Sequence, residues 1–123
     1  MIGRGWVFDA NCPSRAILNH VTSRWGVLIL LALRSQTRRF GDLRRTIGGV
    51  SEKMLTQTLR CLETDGFVAR RVFPVTPPRV EYRLTPLGDE VAGLVAQLAD
   101  WIEGNLERIG SVAATGDDGP DEG

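Results

Sequence analysis

The chain has 123 residues, of which 42% are hydrophobic and 24% charged, and its formal net charge is zero. This length predicts one domain, and the composition is that of an ordinary globular protein. The longest apolar run, Val27 to Leu33, is far shorter than the roughly 20 residues of a membrane-spanning helix. We therefore expect no membrane segment, no signal peptide and a cytoplasmic location.

Few residues of this chain could carry out catalysis. Two cysteines far apart in sequence, Cys12 and Cys61, predict neither a disulfide framework nor a zinc site. The single histidine, His20, lies in a short predicted helix with no acidic residue in local reach. No glycine-rich phosphate loop follows a predicted strand. These patterns argue against an enzyme, and we expect no metal and no cofactor.

The first third of the chain predicts an arm and two helices. Residues 1–12 show no hydrophobic periodicity and form the predicted N-terminal arm. Pro13 suits the first turn of a helix of about three turns, with Asn11 or Cys12 near its N-cap. A second helix is predicted over about residues 24–33, and its wide apolar face must be buried.

The next two predicted helices are separated by a short turn. The third helix runs from about Arg39 to Ile47 and ends at Gly48 and Gly49. Ser51 is the N-cap candidate of the fourth helix. With successive residues about 100° apart, this helix has one apolar face and one polar face. The polar face holds Lys53, Thr56, Gln57 and Arg60.

The polar face of the fourth helix has the side chains that recognise DNA. Hydroxyl and amide groups reach base edges in the major groove, and cations reach phosphates. The alternative is an ordinary solvent-exposed face, which would carry Glu–Lys pairs more often than threonine and glutamine. The pattern therefore favours a recognition helix.

A β-hairpin is predicted after Asp65 and Gly66. Residues 67–73 and 79–84 alternate in side-chain character, and three prolines lie between them, where they cost no ladder hydrogen bonds. Arg79 begins the second strand at the base of the hairpin tip. We expect it to contact phosphate or the minor groove.

Basic residues concentrate in the middle of the chain. From Arg34 to Arg83 there are eleven arginines or lysines and five acidic residues, whereas the residues from Ser111 onward include four acids and no base. A basic centre of this kind is typical of a phosphate-binding surface. Arg39 and Ser51 lie within it and are further candidates for DNA contact.

A long final helix is predicted from about Pro86 to Ile109, and an acidic disordered tail over 111–123. One side of the helix carries an apolar stripe about six turns long. The first two helices could cover it, but we expect a second copy of the chain, because a two-fold dimer also supplies a second recognition helix. The expected interface residues are Leu87, Val91, Leu94, Leu98, Trp101 and Ile102.

Several segments together resemble the HxlR-type winged-helix regulators. The resemblance spans about Cys12 to Leu106, and its most specific part is the segment PPRVEY-x-LTPLG, residues 77–88. It implies a dimeric bacterial transcription factor related to the MarR group, with dimer contacts from the first and last helices. Cys12 matches a cysteine that senses electrophiles or oxidants in some members of that family, and Cys61 would be a resolving partner only within disulfide reach.

The sequence thus predicts a mainly α fold with a small β-hairpin wing (α+β), a winged helix-turn-helix over residues 13–110. The expected function is a sequence-specific regulator, in first place a repressor. It would bind double-stranded DNA as a homodimer on a pseudo-palindromic operator, with a small molecule or an electrophile as effector. The alternative is a winged-helix module for protein contact, or an antirepressor that reads no operator.

Overall fold

The computed structural model describes the backbone of residues 7–114 and the side chains of residues 7–111. Within that range the chain forms six helices and three short strands. In chain order these are α1 (Pro13–Thr22), α2 (Arg24–Ala32), β1 (Arg38–Arg39), α3 (Phe40–Thr46), α4 (Glu52–Thr64), β2 (Val68–Phe73), β3 (Arg79–Leu84), α5 (Pro86–Gly104) and α6 (Leu106–Ala114).

The strands form one antiparallel sheet in the order β1-β3-β2. Strand β3 pairs Tyr82 with Arg38 of β1 and with Arg70 of β2. The predicted hairpin is therefore confirmed, but the sequence pattern missed β1, because two residues are too few to show strand alternation. Strand β1 holds the start of α3 against the wing.

One hydrophobic core unites the helices and the sheet. Its fully buried side chains come from the apolar faces that the helical spacing predicts. They include Ile29 and Leu30 of α2, Leu43 of α3, and Leu55, Leu59 and Leu62 of α4. The sheet adds Val68 and Tyr82, and α5 adds Ala92 and Val95. The inward face of α4 is thereby held in place, and its opposite face points outward.

A close backbone approach joins the wing to α5. Thr85 caps α5 by accepting a hydrogen bond from Gly88 N, and its own hydroxyl donates to the Gly66 carbonyl at 2.6 Å. A Cβ atom at Gly88 would lie 1.9 Å from the carbonyl oxygen of Phe67. Only glycine allows this contact, so the start of α5 is held against the turn that precedes the wing.

The final helix differs from its prediction. The predicted continuous helix from Pro86 to Ile109 is wrong, because α5 ends at Gly104 and Asn105 leaves the helical conformation with φ −124° and ψ 16°. The Asn105 amide donates to the Trp101 carbonyl at 2.7 Å and satisfies a C-terminal acceptor of α5. Helix α6 continues to Ala114 and so covers the first four residues of the predicted tail, and residues 1–6 and 115–123 lie outside the described residues.

Candidate nucleic-acid interface

Helix α4 is set by strong local signals at both ends. The Ser51 hydroxyl accepts a hydrogen bond from Met54 N at 3.1 Å, as the N-cap prediction requires. The preceding Gly49 has φ +86°, a conformation that glycine adopts without strain. At the other end, Gly66 N donates to the Glu63 carbonyl at 3.1 Å. A short turn thus connects α3 to α4, as in a helix-turn-helix.

The outward face of α4 carries the polar set that the sequence predicted. All of these side chains are exposed, and together with Glu52 they line one shallow groove. They are Ser51, Lys53, Thr56, Gln57 and Arg60. Among the described residues, none of the last four has an ion-pair or side-chain hydrogen-bond partner. Their donors and acceptors are therefore free to bind another molecule.

The central basic residues divide into two groups. Five are engaged within the protein: Arg38 with the Ala32 carbonyl and the Thr46 hydroxyl, and Arg44, Arg45, Arg70 and Arg79 with carboxylates. Among the described residues, the other six have no ion pair and no side-chain hydrogen bond. These six are Arg34, Arg39, Lys53, Arg60, Arg71 and Arg83.

Arg39 lies where the wing approaches α3. It lines a cleft of about 460 Å³ together with Phe40 and Gly41 on one side and the wing tip, residues 75–80, on the other. Its side chain is exposed, and its backbone pairs with Glu81 of β3. The structure therefore brings Arg39 close to the wing, although the two are about forty residues apart in sequence.

Tyr82 connects the wing to α4. It is buried, and it lines a small cleft with Thr56, Arg60, Glu63 and Arg70. Burial raises the pKa of the Tyr82 phenol above its usual value, and the nearby Arg70 partly opposes this shift. The tyrosine therefore stays neutral and packs as a bridge between α4 and the sheet.

Arg79 is less available than the sequence suggested. Its side chain is 36% exposed, and its Nε atom lies 3.4 Å from a carboxylate oxygen of Glu81. The guanidinium also stacks on Phe73, with 4.2 Å between Cζ and the ring centroid. Arg71, which was not among the predicted contact residues, is exposed and stacks on the same ring at 4.7 Å. Its alternation with Phe73 was the signal that could have identified it.

His20 has an acidic partner that sequence proximity could not indicate. Its Nδ1 atom lies 2.6 Å from Asp65 Oδ2, across 45 residues of chain. His20 belongs to α1, and Asp65 is the C-cap residue of α4. The expectation that no acid lies in reach of His20 is correct for the neighbouring sequence and wrong for the fold. The pair ties α1 to the end of α4.

The two cysteines are free thiols in different settings. Cys12 is the half-buried N-cap residue of α1, and the guanidinium of Arg15 donates to the Phe8 carbonyl at 3.1 Å. Cys61 is also half-buried and lines a cleft of about 260 Å³ between α1 and α4. His20 and Gln57 line the same cleft.

The outward faces of α5 and α6 are apolar. Leu94 is 64% exposed, Leu98 57% and Trp101 53%, whereas Val95 is buried in the core. Ile102, Leu106 and Ile109 are exposed as well, as is Leu87 near the start of α5. Val91 differs from the other expected interface residues, because it packs partly against the core. Helix α1 adds exposed Ile17 and Leu18.

The described residues contain neither a metal-binding cluster nor a membrane-spanning helix. Within the described part of the chain, no group of three His, Cys, Asp or Glu side chains could hold a metal ion. Among residues 7–114, no helix combines the length and hydrophobicity that crossing a bilayer requires.

Comparisons with known proteins agree with this geometry. A family model described as HxlR-like helix-turn-helix matches residues 20–110. The HTH-type transcriptional regulator YtfH of Escherichia coli strain K12 is 65% identical over 105 residues, which are 85% of this chain and 83% of that protein. The chain belongs to the HxlR-like helix-turn-helix family.

Solved structures of HxlR-like and related regulators share the fold. The ytfH regulator from Salmonella typhimurium has 63% identity and a TM-score of 0.81, over 85% of this chain and 93% of that one. The redox regulator HypR in its reduced form has 33% identity and a TM-score of 0.74, over 80% and 98% of the two chains. The predicted winged helix-turn-helix fold and the predicted class, an HTH-type transcriptional regulator, are thus confirmed.

Proposed function

We propose that this HxlR-like regulator is a sequence-specific repressor that binds double-stranded DNA as a homodimer on a pseudo-palindromic operator. Helix α4 enters the major groove, where Thr56 and Gln57 contact base edges and Ser51, Lys53 and Arg60 contact the backbone. Arg39 and the wing residue Arg79 contact the flanking DNA. A dimer on its operator blocks transcription by occupancy, which requires no further contact surface.

The observation that carries the proposal is the free chemistry of the α4 face. Among residues 7–111, the side chains of Lys53, Thr56, Gln57 and Arg60 have no partner, while several neighbouring arginines are paired with carboxylates. A side chain committed to an internal partner must lose that partner before it binds DNA. These four require no such exchange. A protein-docking face would instead tend to expose apolar groups, of which the outward face of α4 has only Met54 at its edge.

The apolar face of α5 and α6 supports the dimer. Exposed leucines and a tryptophan in a helical stripe are typical of a surface that another molecule covers. A second copy would cover it and would supply the second recognition helix. The two half-sites would then lie about one helical turn of DNA, roughly 34 Å, apart.

Selection of bound genomic fragments tests this function directly. The protein is incubated with sheared genomic DNA, and the retained fragments are sequenced and then titrated individually. We expect a pseudo-palindromic consensus that Gln57→Ala binds more weakly by about 1–3 kcal/mol, with reduced discrimination among bases. Gln36→Ala is the matched control, because Gln36 is exposed at the far end of the sheet, away from the wing tip. Retention of random fragments only, or equal binding by both variants, would contradict operator recognition by α4.

We also propose Cys12 as the regulatory thiol of this chain. It lies at the start of α1, a helix that we expect to contribute to the dimer contact. Modification there would therefore alter the arrangement of the two recognition helices of the dimer without touching DNA. The similarity to the redox regulator HypR supports this role. Modification of a thiol biases such a dimer only if the dimer has two arrangements.

Release of DNA by diamide or a quinone tests the role of Cys12. We expect release from wild type and from Cys61→Ser, and retention by Cys12→Ser. Equal release by wild type and Cys12→Ser, or no release from wild type, would assign Cys12 to packing.

A further inference from the structure

The outward side of the wing has an ordered arrangement of charges. In the β2–β3 register, Arg71 lies opposite Glu81 and Phe73 lies opposite Arg79. Because strand side chains alternate with a period of two, these four residues share one face of the sheet. Phe73 ends strand β2, next to the wing tip. An aromatic ring is therefore placed between two arginines at the end of the hairpin next to the wing tip.

Both guanidinium groups contact the Phe73 ring. The Cζ atom of Arg79 lies 4.2 Å from the ring centroid and that of Arg71 lies 4.7 Å from it. Both distances are within the roughly 6 Å over which a cation is attracted to an aromatic ring. Guanidinium suits this contact better than an ammonium group, because it is planar and more weakly hydrated. The ring thus restricts two side chains that would otherwise sample many rotamers.

The two arginines have different partners beyond the ring. The Nε atom of Arg79 is buried and lies 3.4 Å from Glu81 Oε2, an ion pair without the geometry of a hydrogen bond. Arg71 is exposed, and in the described part of the chain no carboxylate pairs with it. One stacked cation is therefore neutralised within the wing and the other faces solvent.

We propose that Phe73 is a positioning residue of the wing, which holds Arg71 as the ordered free cation for a DNA phosphate while Arg79 remains bound to Glu81. The contact then forms with little further loss of side-chain freedom, since the ring has already restricted the arginine. This inference rests on the proposed DNA-binding function, and it shifts the main phosphate contact of the wing from Arg79 to Arg71.

Binding to a fluorescent 30-base-pair duplex of random sequence tests the proposal with the full chain. The affinity and the slope of log K against log salt concentration are measured at several salt concentrations, because phosphate contacts determine both. We expect Arg71→Ala to lower the affinity by roughly three- to tenfold and to reduce the slope by about one phosphate. Arg79→Ala is the matched control from the same ring, and it should have the smaller effect on both quantities.

Further variants separate positioning from charge. Arg71→Lys keeps the charge but lacks the planar group, and Phe73→Leu keeps an apolar side chain but lacks the ring; both should weaken binding. Phe73→Trp should keep the wild-type affinity, because a tryptophan ring binds cations at least as well as a phenylalanine ring. Phe73→Leu added to Arg71→Ala should cause no further loss, and thermal unfolding of each variant identifies any that lose the fold.

The possible results lead to distinct conclusions. Wild-type affinity and slope in both Arg71→Lys and Phe73→Leu would overturn the positioning role, as would a larger effect of Arg79→Ala than of Arg71→Ala. If Phe73→Leu does not fold, Arg71→Lys alone decides between positioning and charge. Absence of duplex binding by the wild type would overturn the proposed function together with this inference. If the Arg71 and Phe73 variants bind like the wild type but Gln57→Ala binds a selected operator more weakly, this inference is overturned and the proposed function stands.

Discussion

Helices α4 and α5 both bury one face in the same core, but their outward faces differ in chemistry. The outward face of α4 carries hydroxyl, amide and basic groups that have no internal partner among the described residues. The outward face of α5 carries Leu94, Leu98 and Trp101, each more than half exposed. Exposure is therefore common to both faces, and the kind of group exposed distinguishes them.

The difference between the faces indicates two kinds of partner. Polar groups remain solvated until a polyanion with matching donors and acceptors replaces the water. Exposed leucine and tryptophan gain from any contact that removes them from water, at about 25 cal/mol per Å² of apolar area. The α4 face thus suits DNA, and the α5 face suits an apolar surface such as a second copy of the chain.

Disruption of the apolar face should have the largest effect. The double variant Leu94→Glu and Leu98→Glu would place charges at the dimer contact, and we expect monomers at micromolar concentration. Operator affinity should fall by about 10²–10⁴-fold, since two linked half-site contacts become independent. Sedimentation and operator titration check both results, with Asp100→Lys as a control on a different face of α5. A wild-type protein that is monomeric and still binds its operator would contradict the dimer.

Loss of the contact that joins α1 to the end of α4 should have the next largest effect. His20→Ala would leave Asp65, whose side chain is only 9% exposed, without its partner across α1 and α4. We expect the free energy of unfolding to fall by about 1–2 kcal/mol, because a poorly solvated carboxylate loses its hydrogen bond. Urea denaturation measures the change, and Asn19→Ala, an exposed neighbour on α1, is the control. Equal denaturation midpoints for the two variants would show that the pair contributes little.

A comparison of paired and unpaired cations tests the proposed contact between α4 and DNA. Arg60→Ala removes an unpaired cation of α4, and we expect weaker binding to every sequence and a salt slope reduced by about one phosphate. Arg45→Ala removes a cation that is bound to Asp42, and its effect should be smaller. Fluorescence anisotropy over a range of salt concentrations measures both. A larger loss for Arg45→Ala would mean that internal pairing does not predict which cations contact DNA.

Alkaline pH should produce the smallest effect, within the contact between wing and α4. Because burial raises the pKa of Tyr82, the Tyr82 phenol ionises at about pH 10 in the unfolded chain but is still neutral at that pH in the folded protein. The stability that this tyrosine contributes is therefore fully present below pH 10 and is lost as the pH rises through the folded pKa. Tyr82→Phe should lose less stability between pH 9 and about pH 11 in urea denaturation. Parallel pH dependences would contradict the raised pKa.

The local elements were largely predictable from residue spacing. Apolar positions three and four residues apart placed α2 and α4 within one or two residues, and the serine and glycine signals located the ends of α4. Spacing failed at Asn105, where the apolar stripe continues across a break in the helix. It failed also at β1, which is too short to show alternation.

The candidate site was predictable in its residues but not in their availability. The spacing in α4 identified Lys53, Thr56, Gln57 and Arg60, because a helix displays residues on a face that local sequence defines. Local sequence also indicated Arg79, because this residue lies near the hairpin tip. Local sequence could not show that Glu81 and Phe73 engage this arginine and leave Arg71 exposed.

The sequence by itself determined the helix faces, the turn between α3 and α4 and the hairpin, since these depend on neighbours within a few residues. Only the tertiary structure decided which charges are free. The pairs His20–Asp65 and Arg70–Glu63 join different elements, and the pairing of β1 with β3 brings Arg39 opposite Glu81. Such contacts depend on how elements pack, because a salt bridge needs its charged atoms within about 4 Å and a cation–π contact needs its groups within about 6 Å.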